Sequence, residues 1–274
     1  MNEQNFEYLK DNLKYMGFGE QLNLSLENQL KQNPSNFLLK FSTEINKKPF
    51  EAMLNFRKSD NTDMYFFNSY HASLKRSNGE TKEQVFYLTK GKGVTAKEAY
   101  NLLEGRAVHK ELSNKEGQTY KAWIQLDFHK KDKNNNHEVN QYHENYGYNL
   151  KEALSKYAIA ELKHPEQEHS LLQSLQKGNL QSVTIEKDGN VSKAFIEANP
   201  QFKSVNLYDN QMKRVQKESI GQFQTTEKSV SKEIKPDHKQ EVKQKIGKDV
   251  KQIANKELNT SNSKGHSKGK SIGI

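Results

Sequence analysis

The chain has 274 residues, 32% of them hydrophobic, and a mean hydropathy of −1.04, which excludes one large core running through the whole length. Cysteine is absent, which excludes disulfides, thiolate metal sites and cysteine nucleophiles and is compatible with a reducing cytosol. The net charge is +9, and residues 211–274 supply +8 of it, with 15 Lys or Arg against 7 Asp or Glu.

Two amphipathic helices are predicted at the start of the chain. The first carries apolar residues at helical spacing and ends at a glycine: Phe6, Leu9, Leu13, Met16 and then Gly17. The second runs from about residue 20 to residue 32 on Leu22, Leu26 and Leu30. Residues 1–34 are therefore predicted to form an N-terminal helical cap together with the helix of a first repeat. This segment carries early acidic residues and no apolar run typical of a signal peptide.

One strand pattern occurs three times, as EAMLN at 51–55, KAWIQ at 121–125 and KAFIE at 193–197. Alternation assigns every second residue to a core face, and a slip of one residue would exchange the two faces. The predicted core faces are Phe50, Ala52, Leu54 and Phe56 in the first copy, Tyr120, Ala122, Ile124, Leu126 and Phe128 in the second, and Ala194, Ile196 and Ala198 in the third. The repeated strand is thus interpreted first as a packing device.

A helix, a hairpin and a further strand are predicted around each copy. Thr95 and Glu98 form a capping-box sequence, Pro165 opens another helix that ends at Gly178, and Asn149 precedes an additional helix over 150–157. An additional strand is predicted at 84–89. The fold class is therefore α+β, with three α-β-β-β repeats of about 70 residues. The predicted segments after the cap are the repeat 1 sheet (35–94), repeat 2 (95–160), repeat 3 (161–210) and a disordered basic tail (211–274).

The tail contains one aromatic residue and cannot bury enough apolar surface to offset the entropy of ordering. Val242, Ile246, Val250 and Ile253 follow a weak helical spacing that could fold on a partner. A solvated spacer with scattered aliphatic residues is the alternative interpretation. No apolar run anywhere approaches the roughly 20 residues of a membrane span, so we expect a cytoplasmic protein without a membrane partner.

No catalytic, cofactor or metal site is predicted, and we expect no enzyme activity. GxSxG, P-loop, HExxH and Rossmann motifs are all missing from the sequence. The Gly-Lys-Gly at 91–93 could present backbone N–H groups to an anion, but a plain turn is favoured. His71 and His143 recur in related contexts without further ligands at metal-binding spacing.

Two regions are predicted to contact nucleic acid. In the first, Lys130, Lys131 and Lys133 border the amide-rich and tyrosine-rich segment 140–149, where Tyr142 could stack on a base or fold onto the core. In the second, clustered basic residues would contact phosphates: Lys213, Arg214, Lys243, Lys245, Lys248, Lys264, Lys268 and Lys270. Trp123 and Phe195 share the strand face opposite the core, where they could bind an extended ligand or be covered by a neighbouring unit.

Several stretches resemble a family of hypothetical proteins carried by conjugative transposons and related mobile elements of Bacteroidetes, which contain a domain of unknown function. The stretches lie between residues 5 and 214 and are NFEYLKDNLKYMGFGE, DMYFFNSYHASLK, EAYNLLEGRAVHKEL, KAWIQLDF, YGYNLKEALSKY and IEANPQFKSVNLYDNQMKR. Related modules occur beside type IA topoisomerase domains, so the resemblance implies work near DNA, although this chain has no topoisomerase motif.

Two functional hypotheses follow from the sequence. The chain is either a non-enzymatic accessory protein that binds DNA weakly through its tail while the folded repeats dock on a protein of the mobile element's machinery, or a protein-protein adaptor without nucleic-acid contact. Residues 1–210 hold 28 basic and 27 acidic side chains, which argues against a dedicated DNA-reading surface in the folded part.

Overall fold

The computed structural model describes residues 1–114 and 116–225, which form a mixed α+β fold with three small antiparallel sheets and several helices. The six predicted tail contacts from Lys243 to Lys270 and the weak helical pattern at 242–253 lie outside the described residues. No helix in the described part of the chain is long and apolar enough to cross a membrane.

The first sheet is a four-stranded meander covered on one face by helices, in the order β1-β2-β3-β4. Its elements are α1 (Glu3–Tyr15), α2 (Asn23–Gln32), β1 (Asn36–Ile45), β2 (Lys48–Lys58), β3 (Tyr65–Lys75) and β4 (Thr81–Tyr87). All four predicted core residues of β2 are buried, at 0% or 1% exposure, as the alternation predicts.

The other two sheets have three strands each, in the orders β5-β6-β7 and β10-β9-β8. Their elements are α3 (Ala96–Leu103), β5 (Val108–Ser113), β6 (Thr119–Lys131), β7 (His137–His143), α4 (Leu150–Ser155), α5 (Pro165–Gln176), β8 (Gln181–Lys187), β9 (Asn190–Asn199) and β10 (Ser204–Tyr208). The predicted capping box at Thr95 and the predicted N-cap at Asn149 are both present. The predicted ends of the helices and strands differ from the observed ends by up to three residues.

The second sheet lies between two hydrophobic clusters, and this changes the prediction for β6. Ile124 and Leu126 join the cluster built on the first sheet, whereas Trp123, on the opposite face, joins the cluster built on the third. Trp123 is 6% exposed, and its ring centroid lies 5.4 Å from that of Tyr148. Because both faces of β6 are covered, Trp123 is a core residue and not a binding residue.

The packed structure continues to residue 225, past the predicted boundary at 210. Val215, Ile220 and Phe223 pack against the cluster of the third sheet, and the Val215 N–H donates to the Leu207 carbonyl at 2.9 Å. Residues 211–225 therefore do not belong to a disordered tail, because these three side chains complete an apolar surface that β8–β10 and α4 leave open.

Candidate functional site

The free edges of the sheets differ in what covers them. On the β8 edge, the Glu186 N–H donates to the Ala158 carbonyl at 2.8 Å. On the β10 edge, the Leu207 carbonyl accepts from the Val215 N–H. The β4 edge is covered by the β6–β7 hairpin, since the Val85 N–H donates to Asn136 Oδ1 at 2.9 Å. Covering an edge in this way satisfies backbone groups that would otherwise template pairing with another chain.

The edge of β5 has no such cover. This strand pairs only with β6, and in the part of the chain that the structure describes no other hydrogen bond reaches the backbone of its six residues. His109, Lys110 and Glu111 all line one cavity. Successive side chains of a strand point to opposite faces, so a cavity that touches all three lies beside the strand rather than over one face.

This cavity, the edge groove, has a volume of about 870 Å³. It is bounded by α1, the turn at 90–93, the start of α3, β5 and the end of α5. The groove thus runs along the open backbone of β5. A volume of this order is within the range of roughly 300–1,000 Å³ that is typical of ligand clefts.

A tight turn fixes one wall of the groove against α1. Lys90 and Gly91 both have positive φ angles, of 51° and 74°, and Thr89 and Lys92 exchange backbone hydrogen bonds across them. A Cβ on Gly91 would lie 2.4 Å from Asn12 Nδ2 and 2.7 Å from the Tyr8 hydroxyl, so a larger residue would displace these side chains as well as strain the positive φ. The Gly-Lys-Gly sequence is therefore the plain turn that was favoured, with the Gly91 carbonyl accepting from Asn12 Nδ2 at 2.8 Å.

A largely buried ion pair links two residues that line the groove, Glu98 and Lys110. Glu98 completes the capping box of α3, and its Oε2 also accepts from Lys110 Nζ at 2.9 Å. The Lys110 and Glu98 side chains are 19% and 10% exposed, so this pair is shielded from solvent screening. This ion pair joins β5 to α3 and leaves the outer edge of β5 open.

The rim combines exposed aromatic rings with charges of both signs. Tyr8 and Tyr15 are 42% and 85% exposed and lie seven residues apart on α1, about 10 Å along the helix. Five charged side chains also line the groove: Lys90, Lys92, Lys177, Asp11 and Glu111. Within the described residues, none of these five charges has an opposite charge within 4.0 Å. The groove therefore suits a ligand that carries charged side chains of both signs.

Burial affects two polar side chains that line the groove. Asn12 Oδ1 is buried and has no hydrogen-bond partner in the structure. Burial, and secondarily the charge of Lys121, lowers the pKa of His109 from its ordinary value, so the imidazole is neutral at pH 7. A neutral His109 adds no positive charge to the groove.

The structure does not bring together the residues of the first predicted nucleic-acid surface. Lys130, Lys131 and Lys133 are exposed at the tip of the β6–β7 hairpin, where Lys131 donates to Asn135 Oδ1 at 2.9 Å. Tyr142 pairs with Trp123 near the other end of β7 and is half-buried against the cluster of the third sheet. Its pKa is raised by burial. Tyr142 therefore acts as a packing residue there.

The two predicted tail residues inside the described chain are both exposed. The Lys213 backbone N–H donates to Asp209 Oδ1 and Arg214 Nη2 donates to Asn206 Oδ1, each at 2.9 Å. Phe195, on the outer face of β9, is half-buried with Lys193 Nζ 5.1 Å from its ring centroid. These residues lie outside the edge groove.

No group of three or more His, Asp or Glu side chains in residues 1–114 and 116–225 could hold a metal ion. Comparison of the chain with protein-family models, with curated proteins and with solved structures gave no match. The resemblance to mobile-element proteins therefore stays a prediction from the sequence.

Proposed function

We propose that this chain is a non-enzymatic accessory protein of a mobile genetic element, whose folded part docks an extended segment of a partner protein in the edge groove. The basic segment after residue 225 then contacts DNA weakly and without sequence preference. The three helix-plus-sheet units are proposed to be diverged copies of one α-β-β-β repeat, since α2, α3 and α5 each precede an antiparallel hairpin and a further strand.

The open backbone of β5 is the observation that carries this proposal. In an antiparallel pair about half of the residues of an edge strand direct N–H and C=O groups outward. An extended peptide that adds to such an edge gains main-chain hydrogen bonds, and its alternate side chains enter flanking pockets. The 870 Å³ beside β5 provides the required space, which the covered edges of β4, β8 and β10 do not.

The rim chemistry favours a peptide over a nucleic-acid strand. Tyrosine supplies rigid contact area at low entropic cost and is common in peptide-binding surfaces. Lys90, Lys92 and Lys177 would pair with acidic side chains of the ligand, while Asp11 and Glu111 would repel a phosphate backbone. A mixed-sign groove therefore selects a peptide that alternates acidic, basic and apolar residues.

Peptide selection tests the groove. Short random peptides displayed on phage and selected on the full-length protein should yield binders whose affinity falls about tenfold or more in Tyr15→Ala, the size of loss expected for an aromatic anchor. The matched control is Phe202→Ala, because Phe202 is also a well-exposed aromatic, at 69%, and lies outside the groove. It should leave affinity unchanged.

A second arm uses the peptide itself. N-methylation at alternate residues should abolish binding in one set of positions and spare the other, because only the amides facing β5 donate hydrogen bonds. Selected peptides that bind Tyr15→Ala normally and tolerate methylation in both sets would place docking elsewhere and contradict the proposal.

The only support for the proposed DNA contact is the positive charge of the C-terminal segment. Residues 226–274 contain 12 Lys and 6 Asp or Glu, a net charge of +6, while the part preceding residue 211 is nearly neutral. Clustered lysines bind the phosphate lattice through counterion release, which makes affinity fall linearly with the logarithm of salt concentration.

Fluorescence anisotropy with duplex DNA at several salt concentrations tests this contact. The full-length protein should bind weakly, and deleting residues 226–274 should lower the affinity and flatten the salt slope. Replacing Lys243, Lys245 and Lys248 by Gln in the full-length chain should reduce the slope by up to about 2.7. Undetectable binding by the intact protein at low salt would favour the adaptor hypothesis, and unchanged binding after deletion would move the contact to the folded part.

A further inference from the structure

A second cavity, the junction pocket, lies where the three units meet and shares no lining residue with the edge groove. Its volume is about 630 Å³. The start of β2 contributes Lys48, α3 contributes Lys97 and Tyr100, the segment after α3 contributes Glu104 and Arg106, and β9 contributes Phe195.

Positive charge exceeds negative charge at this pocket. Three cations line it, Lys48, Lys97 and Arg106, against the single carboxylate of Glu104. Glu104 Oε2 is 2.6 Å from Lys48 Nζ and 3.7 Å from Arg106 Nη1, so one carboxylate serves two cations. Lys97 has no carboxylate within 4.0 Å of its Nζ among the described residues. The pocket therefore keeps an excess of about two positive charges.

Arg106 is held with one donor group free. Its Nε donates to the Gly178 carbonyl at 2.9 Å and its Nη2 donates to Asn101 Oδ1 at 2.7 Å. These bonds orient the guanidinium, and in the described part of the chain Nη1 makes no hydrogen bond, since it lies 3.7 Å from Glu104 Oε2. A guanidinium fixed in this way is well suited to an oxyanion, because little entropy is lost on binding.

Lys97 and Arg106 lie against the same aromatic ring. Lys97 Nζ is 4.7 Å from the Tyr100 ring centroid and the Arg106 guanidinium carbon is 5.4 Å from it. Burial, and secondarily the charge of Arg106, lowers the pKa of Lys97. Lys97 has no carboxylate partner within residues 1–114 and 116–225, and Arg106 shares Glu104 with Lys48, so an anion that contacts both cations would stabilise them.

We propose that the junction pocket binds a small phosphorylated ligand, with Lys97, Lys48 and Arg106 Nη1 contacting the phosphate oxygens. A volume of 630 Å³ accommodates a ligand larger than the phosphate itself. Half-buried Phe195 also lines the pocket and provides apolar surface for the remainder of the ligand. Residues of all three units form the pocket, so a bound ligand contacts all three.

Isothermal titration of the full-length protein with ATP, with pyrophosphate and with adenosine tests this assignment. ATP and pyrophosphate should bind with saturation, and Lys97→Gln should weaken both about tenfold or more, because one charge-assisted contact is lost. Although its ammonium group is partly buried, Lys97 is an exposed residue and makes no ion pair with any residue that the structure describes, so the variant should fold normally. Adenosine, which lacks phosphate, should not bind.

Lys75→Gln is the matched control, since it removes one exposed lysine that lines neither the junction pocket nor the edge groove and leaves the basic segment after residue 225 intact. It should bind both anions like the unaltered protein. Equal losses in the two variants would mean that net charge alone attracts the anions, which overturns the site. Unaltered binding by Lys97→Gln, or saturable binding of adenosine, would also overturn it.

Discussion

Replacing Trp123 by Lys should lower the free energy of unfolding by about 3–5 kcal/mol. The change removes a large side chain that packs against Tyr148 and puts an ammonium group among apolar residues without a carboxylate to pair with. Because Trp123 is the single tryptophan, unfolding in urea should be followed by circular dichroism rather than by intrinsic fluorescence.

Lys121→Ala is the control, two positions along the same strand. Lys121 is exposed and shares the face of Trp123, so its loss should change stability by no more than about 0.5 kcal/mol. Equal midpoints for the two variants would show that Trp123 is solvent-exposed in solution, which would contradict its place between the second and third sheets.

Gly178→Ala should cost about 2–4 kcal/mol for two separate reasons. Gly178 has a φ of 77°, which an L side chain adopts with strain of about 1–2 kcal/mol. In addition, a Cβ there would lie 2.8 Å from the Ala107 carbonyl oxygen and 2.9 Å from Val108 Cγ2, so the end of α5 would have to move away from the start of β5. Chemical denaturation measures the loss.

Gly189→Ala separates the two reasons. Gly189 has nearly the same φ, 76°, but no atom lies within 4 Å of its added Cβ. Its cost should be the strain alone, about 1–2 kcal/mol. If the two alanine variants lost equal stability, the close approach of α5 to β5 would be absent in solution.

Local patterns in the sequence predict most of the elements. The alternation of Phe50, Ala52, Leu54 and Phe56 identifies a core face because sheet 1 is covered on one side only. The Thr95–Glu98 box and Asn149 mark helix starts because capping depends on residues three positions apart. Such features need no knowledge of the rest of the fold.

Features set by distant packing could not be predicted in this way. Trp123 looks like a surface aromatic between Lys121 and Gln125, and its burial depends on a cluster whose other members come later in the chain. Val215, Ile220 and Phe223 follow no period, so nothing local places them on the third sheet.

The edge groove cannot be predicted from local patterns for the same reason. The cavity beside the open edge of β5 depends on the positions of α1 and α5, and the cover of the β4, β8 and β10 edges depends on segments distant in the sequence. The two local signals were the Lys90-Gly91 turn and the capping-box Glu98, and neither indicates a groove without the fold.

Hydrogen–deuterium exchange on the full-length protein with a selected peptide tests the central claim most directly. Docking by strand addition predicts that amides in residues 108–113 become protected when the peptide binds, because their outward N–H groups acquire partners. Amides in β1, whose edge borders no cavity of comparable size, should exchange at the same rate with and without peptide. Protection of β1, or of any other segment, with unchanged exchange at 108–113 would contradict it.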